Sequence, residues 1–236
     1  EVLIINGDCE YCRKIVHKNK ITFGFKPDCD IVLRLSDSKL YLMMEEVEYE
    51  FDFPFYAKHM AYNLAAAIIL TFLIDKDLSH VNSRIKKLRL PARRFNEFKV
   101  KDDVILIDDY AHHPTEIKAL INTIRLKYPE KFLVVIYQGH TYSRTISFFD
   151  EYVNVLKEAD EVYIMPIFSS VREEEFDEWA LLRGCDSFKK YDRASIESLI
   201  NGKNIIVAFI GAGDINNEFI FLIKKVNYWK HLSYVL

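Results

Sequence analysis

Residues 104–117, Val-Ile-Leu-Ile-Asp-Asp-Tyr-Ala-His-His-Pro-Thr-Glu-Ile, constrain the fold of this chain more tightly than any other stretch. Four apolar residues in a row, Val104 to Ile107, read as a strand buried on both faces, the habit of parallel sheets. Two carboxylates, a tyrosine and two histidines follow at once. Pro114, Thr115 and Glu116 then open a helix. Proline suits the first helical turn, where its missing N–H costs nothing, and an acid there faces the positive end of the helix dipole. In that order, strand, loop and helix put the titratable loop at the carboxyl end of a strand, where open α/β sheets bind ligands.

The neighbouring pattern agrees. From Arg93 onward strands and helices alternate: strands at 97–100, 104–108, 132–138, 161–165 and 204–210, and helices at 114–127, 146–158, near 175–183, near 194–201 and at 216–229. Such alternation predicts a mostly parallel, doubly wound sheet and an α/β fold. The first ninety residues read differently. Val2–Asn6 and Ile21–Phe25 are short apolar strands, and Asp30 to Phe53 alternates apolar and polar residues around Ser36-Asp37-Ser38 and Glu45-Glu46, which suggests antiparallel strands. Helices are expected from His59 to about Ile74 and from Leu78 to Leu88. Pro91 ends the second and sets the expected division into domains at 1–90 and 91–236.

Composition narrows the class of function. Among 236 residues, 50% are apolar, enough for substantial cores, and the net charge of −3 is spread without a basic segment, which disfavours nucleic acid as a partner. The longest uncharged apolar stretch, Met60 to Ile74, carries Asn63 and Thr71 and is too short and polar to span a bilayer. No segment has the pattern of a secretory signal, so a soluble cytoplasmic protein is expected. Cys9, Cys12, Cys29 and Cys185 make no disulfide framework in a chain of this size. Cys9-Glu-Tyr-Cys12 has C-x-x-C spacing, but no second pair follows at zinc spacing, and these thiols read as incidental.

Four clusters could carry chemistry. In Asp108-Asp109-Tyr110-Ala111-His112-His113, a carboxylate can hold a ribose hydroxyl or a divalent cation while a histidine positions a reacting group. The same Asp108, Asp109, His112 and His113 could ligate the metal of a hydrolase, or simply cap a helix. His140-Thr-Tyr-Ser-Arg144-Thr145 follows the next strand, and Arg144 could hold a carboxylate bidentately or lie solvated in a helix. Gly211-Ala-Gly213-Asp214 could receive phosphate at a helix start, though without a third glycine a tight strand-to-helix turn is the stronger reading. Arg93-Arg94-Phe95 sits at the expected junction, where a guanidinium could reach a nucleotide.

Taken together and in order, these residues resemble the Mur ligase family. The resemblance runs through Asn6-Gly-Asp8 with Arg13, Thr22-Phe23-Gly24-Phe25, Lys58-His59 to Asn63, Arg93-Arg94-Phe95, Asp108 to Glu116, His140 to Thr145 and Gly211 to Ile215. It implies a Rossmann-like C-terminal domain preceded by the latter half of the family's central ATPase domain. Met60 stands where the family has an amide. The pairing of Asp-Asp-Tyr-Ala-His-His-Pro-Thr-Glu with His-x-Tyr-Ser-Arg-Thr resembles the members that join L-alanine to UDP-N-acetylmuramate.

The resemblance also implies roles. Arg94 and Asp109 would contact the nucleotide, with Asn63 beside the adenine. Tyr110, His112, His140 and Arg144 would face the incoming amino acid, Arg144 holding its carboxylate, and His112 and Arg144 would be the catalytic pair. ATP and Mg²⁺ are the implied cofactors, UDP-N-acetylmuramate and L-alanine the implied substrates. No G-x-x-x-x-G-K-[ST] phosphate loop occurs in the 236 residues. The expectation is therefore a piece of such a ligase that needs its N-terminal half, with its UDP-binding domain, phosphate loop and metal ligands, and is inactive alone. The rival readings are a nucleotide- or amino-acid-binding module without catalysis, and the metal-dependent hydrolase.

Overall fold

The computed structural model describes residues 1–55, 58–88, 91–101, 103–169 and 177–233. They form two compact units, Glu1–Arg89 and Leu90–Leu236. In the first, β1 (Leu3–Asn6), α1 (Glu10–Arg13), β2 (Lys20–Gly24), β3 (Ile31–Ser36), β4 (Lys39–Met44) and β5 (Val47–Asp52) precede α2 (Lys58–Asp75) and α3 (Val81–Ile85). The strands lie in the order β1-β2-β3-β4-β5. The first three are parallel, and the last three form antiparallel hairpins.

Those hairpins turn through residue pairs with positive φ, Asp37 (49°) with Ser38 (60°) and Glu45 (49°) with Glu46 (65°). Left-handed backbone at both central residues matches the right-handed twist of the strands it joins, and here it is adopted without glycine. Period-two alternation buries Leu40, Leu42 and Met44 of β4 against Ala61, Leu64, Ala65, Ile68, Ile69 and Phe72 of α2. The other face of α2 is apolar as well, with Leu70 and Ile74 exposed. The helix expected over 78–88 is only the five residues of α3. Asp77 Oδ1 accepts the Ser79 amide at 2.8 Å, a local turn that competes with a helix start.

The second unit runs β6 (Asn96–Lys101), β7 (Val104–Asp109), α4 (Pro114–Lys127), β8 (Phe132–His140), α5 (Tyr142–Ser147), α6 (Phe149–Leu156), β9 (Glu161–Phe168), a 3-10 turn (Ala180–Gly184), β10 (Lys189–Lys190), α7 (Arg193–Leu199), β11 (Ile205–Ile210) and α8 (Asn216–Ser233). The sheet order is β10-β9-β8-β11-β7-β6, and every pairing is parallel except β6 with β7. Alternate residues of each strand enter opposite cores. Ile105, Ile107, Val135 and Ala208 meet α4 and α6, while Val104, Leu106, Val134 and Val207 meet α7 and α8. A sheet covered by helices on both faces is the doubly wound arrangement that the alternation predicts.

Two further expectations are corrected. The helix expected at 146–158 starts earlier, at Tyr142, and breaks at Phe148 (φ −119°, ψ 26°), whose ring packs edge-on against His113 at 4.8 Å. Of the helix expected near 175–183, residues 175 and 176 lie outside those described, and the remainder is the short 3-10 turn. The sequence reading also passed over α1 and β10, which are too short to show a period.

Candidate functional site

Because β7, β8 and β11 are parallel and in register, with Ile210 paired to both Asp109 and Tyr137, the loops that follow them leave the same edge of the sheet. The two adjacent carboxylates at the end of β7 point opposite ways, as alternation requires. Asp108 is fully buried, accepts from Asn216 Nδ2 at 2.8 Å and lies 3.6 Å from Arg93 Nε. Burial raises its pKa, against the pull of the Arg93 charge and the Asn216 bond. Asp109 takes the Phe95 amide on Oδ2 and the Ala111 amide on Oδ1, both at 2.8 Å.

Asp109 therefore shapes two turns, one on each side of β7. Arg93, in the left-handed region at φ 61°, donates to the carbonyls of Gly211 and Gly213 and ties the 93–95 segment to the glycine turn after β11. Arg94 is exposed, its guanidinium 5.7 Å from the centre of the Tyr110 ring. Of the two arginines, the first is structural and the second faces outward.

The two histidines divide in the same way. His113 is the N-cap of α4: its Nδ1 accepts the Thr115 amide at 3.3 Å, and Glu116 Oε2 returns to the amides of His112 and His113, a reciprocal capping box. His112 turns the other way, Nδ1 3.0 Å from the Tyr110 carbonyl. A carbonyl only accepts, so Nδ1 is assigned the proton and Nε2 remains an acceptor. The His112 ring lies edge-on to Tyr110 and 6.0 Å from the ring of His140, which itself stacks on Phe168.

Arg144 lies in α5, one helical turn after Thr141, a β-branched residue held at φ 70° by its amide bond to the Phe168 carbonyl and by the Thr145 hydroxyl on its own carbonyl. The Arg144 Nη1 atom is buried and has no hydrogen-bond partner among the described residues. Its charge is felt at the buried phenols of Tyr137 and Tyr152, whose pKa values burial nonetheless pushes up. A guanidinium nitrogen withdrawn from water and left without an acceptor is costly unless an anion fills the place, and a carboxylate matches its fork.

The structure thus brings Tyr110, His112 and His140 together, with Asp109 next to Tyr110 in sequence and the Arg94 guanidinium near its ring. Asn63 lies in the other unit, exposed on α2, next to Tyr62. The hydrolase reading fares less well. Asp108 is committed to Arg93 and Asn216, His113 to its cap, and among the described residues no three His, Cys, Asp or Glu side chains gather as metal ligands.

Sequence reasoning missed Tyr152, whose hydroxyl donates to the His112 carbonyl at 2.7 Å, and Gln138. Gln138 braces the glycine turn: its Nε2 donates to Asp214 Oδ1 at 2.6 Å and its Oε1 accepts the Ile215 amide at 3.0 Å. A Cβ at Gly213 would collide with Gln138 and Phe168, so this glycine serves close packing. A polar residue ending an apolar strand was the available signal for Gln138; nothing marked Tyr152. No helix among the described residues is long and apolar enough to cross a membrane.

A doubly wound domain with this loop at its carboxyl edge matches a known class. Residues 93–208 fit the Mur ligase glutamate ligase domain, and the chain belongs to the Mur ligase family. Its curated relatives include the UDP-N-acetylmuramate–L-alanine ligases of Streptococcus agalactiae serotypes III and Ia, 35% and 39% identical over 225 residues. Each alignment takes in 90% of this chain, and the chain spans 50% of the length of either relative. Among solved structures, the UDP-N-acetylmuramate–alanine ligase of Thermotoga maritima superposes with a TM-score of 0.72 at 22% identity, over 96% of this chain and 52% of that one, a likeness of fold.

Proposed function

We propose that this chain carries the amino-acid side of an ATP-dependent ligase that joins L-alanine to the carboxylate of UDP-N-acetylmuramate through an acyl phosphate, a step of peptidoglycan precursor synthesis in the cytoplasm. The observation that carries the proposal is the buried Nη1 of Arg144, which has no hydrogen-bond partner among the described residues. A guanidinium there takes the carboxylate of alanine and leaves the amine free to attack. His112, with Nδ1 committed to the Tyr110 carbonyl, presents Nε2 as the acceptor for a proton leaving that amine. Tyr110 and His140 form the walls that exclude water from the amine and orient it.

Arg94 and Asp109 are the proposed nucleotide contacts of this unit, and Asn63 that of the first. The described residues fit the phosphates and Mg²⁺ poorly: they offer neither a metal-ligand cluster nor, in the sequence, a phosphate loop. Phosphoryl transfer is therefore not assigned to these residues, and we propose that they turn over no substrate by themselves and work with the N-terminal half of the ligase.

Calorimetric titration of the 236-residue chain with L-alanine and with L-alanine methyl ester tests the reading. Saturable binding of the free acid and none of the ester is expected. Equal binding of both, or of neither, contradicts a carboxylate site at Arg144. ATP- and UDP-N-acetylmuramate-dependent ligation by these residues alone would overturn their assignment as half of a catalyst.

A further inference from the structure

Cys9 and Cys12 lie in the first unit, outside the site just described, and bracket the single turn of α1. Cys9 sits at the N-cap in extended backbone (φ −87°, ψ 116°), and its Sγ accepts the Cys12 amide at 3.5 Å. The Arg13 amide bonds the Cys9 carbonyl at 3.1 Å, which closes the turn. Side chains three residues apart on such a turn stand about 5–6 Å apart at Cβ. A disulfide asks for about 3.5–4.5 Å, so closure needs only a small approach at the end of a four-residue helix.

The Cys12 amide thus already points at the Cys9 sulfur. The two thiols are split: the Cys12 amide and thiol lower the pKa of Cys9, while the Cys9 sulfur raises that of Cys12. One sulfur is thus biased toward the thiolate and the other toward the thiol, the asymmetry an exchange reaction uses. Both are partly exposed. The other cysteines are unlike them. Cys29 is buried, and burial raises its thiol; Cys185 belongs to the second unit and bonds the Ser187 hydroxyl at 3.0 Å. Among the described residues no third ligand joins the pair, which favours dithiol chemistry over a metal site.

We propose that Cys9 and Cys12 form a reversible dithiol–disulfide pair that exchanges with low-molecular-weight disulfides of the glutathione class. The Cys9 thiolate attacks one sulfur of the small disulfide, the S–S bond breaks, and the first small thiolate leaves. Cys12 gives its proton to solvent and attacks Cys9 Sγ, and the second small thiolate leaves. Two electrons pass from the protein dithiol to the small disulfide, which ends as two thiols. The turn that closes follows Asp8, which accepts the amides of Phe25 and Lys26 and the Tyr62 hydroxyl.

The test equilibrates the 236-residue protein with mixtures of reduced and oxidised glutathione, then quenches with N-ethylmaleimide in denaturant for intact-mass and peptide analysis. The expected product has lost two maleimide labels together, carries no glutathione and yields a Cys9–Cys12 linked peptide. Cys12→Ser should instead hold one glutathione at Cys9, and Cys185→Ser should behave as the parent. Full labelling at every ratio, a glutathione adduct persisting at Cys9 in the parent protein, or a linkage that involves Cys29 or a second chain would overturn the proposal.

Discussion

The fully buried Tyr152 donates its hydroxyl to the backbone carbonyl of His112 at 2.7 Å, fastening α6 to the loop that follows β7. Removing that hydroxyl leaves a carbonyl unsatisfied in the interior. Tyr152→Phe is expected to cost about 1–2 kcal/mol in urea unfolding and to weaken L-alanine binding, because His112 loses the anchor on its main chain. Unchanged stability with unchanged binding would show that the bond fixes nothing.

Arg93 and Arg94 are neighbours in sequence with separate duties. Arg93→Ala strips the cation from the buried Asp108 and the donor from two glycine carbonyls, and should destabilise the second unit by about 3 kcal/mol. Arg94→Ala, at an exposed position, should change stability by less than about 0.5 kcal/mol while lowering affinity for ATP. Paired unfolding curves and nucleotide titrations separate the two, and a reversed assignment would contradict the division drawn here.

His112 and His113 should part in the same manner. His113→Ala loses an N-cap and is expected to cost about 1 kcal/mol, most of it regained by His113→Asn, with little effect on L-alanine. His112→Ala should leave the melting temperature nearly unchanged and remove the proton acceptor, seen as loss of ligation when the N-terminal half is supplied.

Asp8 gives the first unit a signature in acid. Burial pushes its pKa up, but the Tyr62 hydroxyl, the Phe25 and Lys26 amides and the Lys58 charge together hold it below the usual carboxylate value. A carboxyl depressed in the folded state contributes stability above its unfolded pKa, and that contribution is lost as pH falls through the folded value. Urea unfolding of the first unit should therefore weaken below about pH 4 in the parent, and Asp8→Asn should be less stable at neutral pH with a flatter acid limb.

The strands and helices of the second unit were legible because burial on both faces writes uninterrupted apolar runs such as Ile205–Ile210, and because proline and an acid mark the start of α4. The break at Phe148 was not, since it depends on a ring settling against His113, a contact between residues far apart in sequence. In the site, loop position pointed to the 108–113 and 140–145 clusters, and the family resemblance singled out Tyr110, His112, His140 and Arg144 within them. Which arginine and which histidine serve structure was hidden, because the answer lies in backbone direction: a left-handed φ at Arg93 and an extended N-cap at His113. The wide spacing between Tyr152 and His112 leaves no local pattern at all.

The central claim is that the buried face of Arg144 receives the carboxylate of the incoming amino acid. The most direct measurement is L-alanine affinity in the parent chain and in Arg144→Gln, with the fold of each checked by circular dichroism. The account predicts a loss of at least about tenfold, the equivalent of 1.4 kcal/mol, in a variant that remains folded. Undiminished affinity in a folded Arg144→Gln chain would contradict it.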